Sequence, residues 1–168
     1  MPDSEIASLT EDTAPAADDW FYKVDNAGTV DRKTAYSDLL APSTPKATFP
    51  VAYSVAISDQ TTAIATTGTK LSFRMPFAMT LTDVRCGLKS ACATGTFTVD
   101  INEATVSVLS VKLTIDATEL TSETAVTGPT ISDSALADDA IITIDVDNVG
   151  DGTATGAIVT LIGTRVIA

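Results

Sequence analysis

The chain has 168 residues, 45% of them hydrophobic, which is ample for one core plus a small appendage; it carries 22 Asp and Glu against 10 Lys and Arg, no His, and a net charge of −12. Counterion release cannot bring such a surface onto a phosphate backbone, so nucleic acid is not expected as a partner. The longest apolar stretches are only a few residues, so no membrane span is expected either.

Met1-Pro2-Asp3-Ser4 offers no basic and apolar leader, so a secretory signal is not expected. Ile6 and Leu9 can present one apolar edge, and Thr13 to Asp19 is a breaker-rich turn. Trp20 to Val24 reads as a strand and Val30 to Lys33 as its partner, with Asp25-Asn26-Ala27-Gly28 as the turn. Thr34 is placed to cap a short helix containing Ala35, Tyr36, Asp38, Leu39 and Leu40, which must end before Pro42.

Pro42, Pro45 and Pro50 stiffen the next segment, giving an arm over 1–41, a linker over 42–50 and a head over 51–168. A lone hairpin with one helical turn is marginal in water, so the arm is expected to need a partner surface or copies of itself. Its candidate attachment residues are Ile6, Leu9, Trp20, Tyr22, Leu39 and Leu40. Trp20 either fills a mini-core between hairpin and helix or serves as an aromatic docking anchor.

The head reads as all-β. Phe97, Val99 and Ile101 alternate with Thr98, Asp100 and Asn102; Val111, Leu113 and Ile115 alternate with Lys112, Thr114 and Asp116; Ile142, Ile144 and Val146 alternate with Thr143, Asp145 and Asp147. The chain contains 28 Thr and only nine aromatics, so the core is expected to be thin layers of small β-branched side chains. Candidate strands lie near 51–57, 70–75, 79–85, 94–102, 106–115, 124–131, 140–147 and 157–166, a count that suits a jelly-roll-like antiparallel β-sandwich. The Ser132 to Asp139 loop suggests a helical turn. In the last strand Ile158, Thr160 and Ile162 oppose Val159, Leu161 and Gly163, apolar on both faces. Ile158 and Ile162 are therefore the candidate oligomer interface, the alternative being a central strand under a loop.

Catalysis finds little footing. Without His there is no Ser/His or Cys/His pair, no nucleophile-elbow or phosphate-loop motif appears, and Asp100, Asp116 and Asp145 alternate outward as solvent-facing residues; no enzyme and no cofactor are expected. Cys86 and Cys92 cannot assemble a zinc site alone and read as buried thiols. Asp145, Asp147, Asn148 and Asp151 resemble hard oxygen ligands for calcium. A calcium loop of the helix-loop-helix type, however, wants an acid or amide at position 149 and Glu at 156, where Val149 and Gly156 stand. A strand end and its turn account for that string without metal.

The spaced pattern Ile6-Ala7-Ser8-Leu9-Thr10, Thr13-Ala14-Pro15, Asp18-Asp19, Val24-Asp25, Gly28, Lys33-Thr34 and Asp38-Leu39-Leu40 resembles the N-terminal attachment segment of tailed-bacteriophage fibres and other virion structural proteins. Phe73 to Leu81, Phe97 to Glu103, Lys112 to Asp116, Ile131-Ser132-Asp133 and Gly150-Asp151-Gly152 resemble a β-domain recurring in phage structural proteins. The resemblance implies a virion component, made in the host cytoplasm and carried on the outer surface of the particle, usually a trimer with a jelly-roll-like head. It would be a capsid decoration or head-fibre protein docking on the major capsid protein. The alternative is a short tail fibre or adhesin that docks on tail proteins and touches a host receptor.

Overall fold

The computed structural model describes residues 47–166 throughout and the backbone of residues 20–24 and 31–35. The chain divides into two compact units, Met1–Pro45 and Lys46–Ala168. In the first, β1 (Trp20–Val24) and β2 (Asp31–Ala35) pair antiparallel, with Trp20 opposite Ala35 and Val24 opposite Asp31. The ladder runs on through Thr34, so the expected helix cap at Thr34 is instead a strand position. Its backbone is taken up by pairing with Phe21.

The second unit is all-β and antiparallel. It comprises β3 (Thr48–Ala56), β4 (Gly68–Arg74), β5 (Met79–Gly87), β6 (Phe97–Glu103), β7 (Val106–Ser107), β8 (Leu109–Val111) and β9 (Leu113–Ile115). Next in the chain come a 3-10 turn (Ser122–Thr124), β10 (Thr130–Ile131), β11 (Ala135–Leu136), β12 (Ile141–Val149) and β13 (Ile158–Val166). One sheet has the order β11-β5-β13-β3; the other runs β4-β12-β6-β7, with β9 also on β6, and β8 and β10 form a separate short ladder. Leu81, Val84, Val159 and Leu161 of the first sheet join Val99, Ile101, Ile142, Ile144 and Val146 of the second in one buried core. The period-two pattern dictates this, because the strands turn every second side chain inward, with β5 resetting its phase by a bulge at Thr82 between Leu81 and Val84. Burying one such side chain is worth about 1.5–3 kcal/mol.

Three departures from the sequence expectations have local causes. First, β3 begins at Thr48, inside the segment read as linker, and Pro50 lies within the strand at a position that needs no N–H for the ladder. Second, the stretch 124–131 contributes only Thr130–Ile131, because Gly128-Pro129 interrupts it and the Thr121 hydroxyl accepts the Glu123 N–H to start the 3-10 turn. The edge position beside β5 goes instead to Ala135–Leu136, where a helical turn is suggested by sequence; Ala135 lies opposite Thr80. Third, Asp100 faces away from the core but is buried all the same at 6% exposure.

Candidate interaction surfaces

The charged side chains of the head are largely occupied in holding loops and strands. Asp151 accepts the N–H groups of Ala93 and Thr94 on one oxygen, and the N–H and hydroxyl of Thr153 on the other. The Thr153 hydroxyl first, with these backbone donors, holds its carboxyl below the ordinary value of 3.8. Asn148 accepts the Gly150 N–H. Two members of the calcium-like string are therefore turn anchors. Asp59 likewise accepts from Thr61 and Thr62, and those backbone donors hold it well below the usual carboxylate range.

On the outer face of the five-stranded sheet Asp100 and Asp145 stand directly opposite each other. Such a pair repels unless it is compensated. The Lys112 ammonium lies 3.1 Å from Asp100 and bonds Asp147; those two contacts, the Asp147 one leading, raise its pKa. Ser107 donates to Asp100 at 2.6 Å and Asn102 donates to Asp145 at 2.9 Å. Asp145 is thus tied to β6 and Asp147 to the link between β8 and β9. The two thiols are buried, and burial raises Cys86 to about 12.

The four-stranded sheet has a different outer face. β3 contributes Pro50, Ala52, Ser54 and Ala56, β13 contributes Ile158, Thr160, Ile162 and Thr164, and β5 adds Thr80, Asp83, Arg85 and Gly87. The Ser54 and Thr160 hydroxyls bond at 2.8 Å, and Arg85 is paired to Asp83 at 2.7 Å. On a chain of net charge −12 this is a nearly neutral surface, small along β3 and carrying Ile158 and Ile162 on β13.

At one end of that sheet the Arg165 guanidinium carbon sits 4.3 Å from the centroid of the Phe77 ring. Beside it runs an open groove of about 350 Å³, lined by Met79, Leu136, Thr164 and Val166 among others.

Of the residues singled out by sequence, Ile158 is 40% exposed and Ile162 half-buried, both on this outer face of a strand that is central in its sheet. Ile6, Leu9, Leu39 and Leu40 lie outside the described residues. Trp20 and Tyr22 are placed on β1 by backbone. Sequence reasoning missed the Asp151 hub, the burial of Asp100 and the Arg165–Phe77 contact. The first had a legible signal, since Asp two residues before Thr in a Gly-flanked turn is an Asx-turn pattern; the others depend on which strands become neighbours. Compared with protein families, curated proteins and solved structures, the chain matches none.

Proposed function

We propose that this protein is a bacteriophage virion structural protein, a homo-oligomeric capsid decoration or head-fibre protein that docks through its N-terminal segment and carries a jelly-roll head. The observation that carries the reading is the strand order. Counting β3, β4, β5, β6, β7 with β9, β11, β12 and β13 as first to eighth, one sheet runs first, eighth, third, sixth and the other second, seventh, fourth, fifth. That interleaving is what a long antiparallel ribbon makes when it folds over itself, and all four ribbon pairings occur: β3 with β13, β4 with β12, β5 with β11 and β6 with β7.

Jelly rolls serve in viral capsids and in lectins, so the fold supports the reading by analogy, and the attachment-segment resemblance chooses between those uses. Binding in this function comes from buried area multiplied by symmetry, a trimer being the order the resemblance implies. The short tail fibre is favoured less, because the linker reaches the head without a shaft repeat. Labelling the protein on intact particles and counting copies tests the proposal. Hundreds over the head are expected, whereas a few copies confined to the tail would select the adhesin and overturn decoration.

A further inference from the structure

We infer that the free edge of β3 is a self-association surface, on which a second copy of this chain pairs β3 to β3 in antiparallel register. The Ile57 N–H donates to the Ala157 carbonyl at 2.9 Å, and the β3–β13 register runs unshifted from there to Val166 opposite Thr48. In an antiparallel ladder alternate residues bond the same neighbour. Odd-numbered residues of β3 therefore serve β13, while Ala52, Ser54 and Ala56 aim their N–H and C=O groups away from the sheet. Among the described residues nothing receives them. Pro50, which has no N–H, falls in this same outward-aimed set.

The other sheet edges are guarded. The β5 edge is covered by β11, and beyond it the Ser122 hydroxyl accepts the Cys86 N–H. The β6 edge ends in the short strands β7 and β9. β4, an edge of seven residues, carries Lys70 and Arg74, the charges that deter edge-to-edge pairing. β3 is as long as any strand in the fold, nine residues, and has no charged side chain. Only Pro50 blunts it, near one end.

The chemistry selects a second copy rather than another class of partner. Two molecules of charge −12 repel least where each is neutral, and β3 is such a place. The nearest charges on the outer face, Asp83 and Arg85, lie two strands away on β5, about 10 Å at ordinary strand spacing and about one Debye length. Ala52, Ser54 and Ala56 are too small to hinder an approaching strand, and an antiparallel strand meeting its own copy is self-complementary about a two-fold axis. The contact goes beyond the proposed function. In a three-fold assembly it joins one assembly to the next, and it does not require the protein to be a virion component.

Amide exchange of the full chain, followed by residue across a dilution series alongside sedimentation, tests this. Ala52, Ser54 and Ala56 are expected to gain about tenfold protection or more as the mass rises, since pairing closes amides that are otherwise open. Ser54→Lys on the exposed face should abolish both the gain and the mass increase, while Ser72→Lys on β4 should change neither. Free exchange at these three amides in an oligomeric sample would overturn the inference, because the copies would then meet elsewhere, as on the Ile158 and Ile162 face. A sample that stays monomeric at every concentration overturns it too, leaving the edge for a different chain. If Ser54→Lys fails to fold, the wild-type exchange profile alone decides.

Discussion

A hydrogen in place of a methyl at position 163 determines whether β13 can lie against β5. The register between them shifts at Thr82, and a Cβ on Gly163 would come within 2.1 Å of the Thr80 carbonyl oxygen, a backbone atom that cannot swing aside. Gly163→Ala is expected to cost about 1–3 kcal/mol or more, read as a lower urea midpoint at unchanged slope. Asp151 works through charge. Its folded pKa is lowered, first by the Thr153 hydroxyl, so its contribution is fully present above the ordinary carboxylate value of 3.8 and is lost as pH falls through the folded value. Asp151→Asn should therefore lower the thermal midpoint at neutral pH and flatten its decline on the acid side. An unchanged acid profile would mean that the Ala93–Thr94 and Thr153 contacts stabilise nothing.

At the scale of elements, the edge of β5 is closed by β11 at one end and by the Gly87–Thr121 bridge at the other, where the Ser122 hydroxyl meets the strand. Ser122 is buried and accepts the Cys86 N–H at 2.9 Å, so Ser122→Ala leaves that donor without its partner and should cost about 1–3 kcal/mol in denaturant unfolding. The long strands β6, β12 and β13 were legible because one face of each alternates at every second residue, and β5 because its two halves on either side of the Thr82 bulge do the same. The short ones were not: Ala135–Leu136 has no period to read, and its pairing with Met79 and Thr80 is decided by the neighbouring sheet. Thr34 illustrates the same limit, since a good helix cap is also a good strand residue and Phe21 across the ladder decides. Asp100 alternates outward as expected, yet Ser107 and Lys112 close over it, a neighbourhood built by the return of the chain after β6. Of the candidate interfaces, Ile158 and Ile162 could be read from two-sided alternation. The edge of β3 that stands open among the described residues could not, because an edge is defined by which strands come to lie beside it.

For the whole molecule, the decisive property is that the second unit contains its own core. The 24 buried apolar residues among those described, Ile57 to Leu161, lie within it, and both of its sheets are built from its own strands. The strand pairings of this unit are made among its own residues, so deleting residues 1–41 is expected to leave a head with a cooperative thermal transition. If the first segment is the attachment device, the same truncation should fail to join particles when supplied in place of the full chain. Co-purification with particles and thermal melting separate the outcomes. A truncated protein that melts cooperatively yet assembles normally removes the attachment role from residues 1–41, and one that no longer melts cooperatively shows that the head depends on the segment for folding.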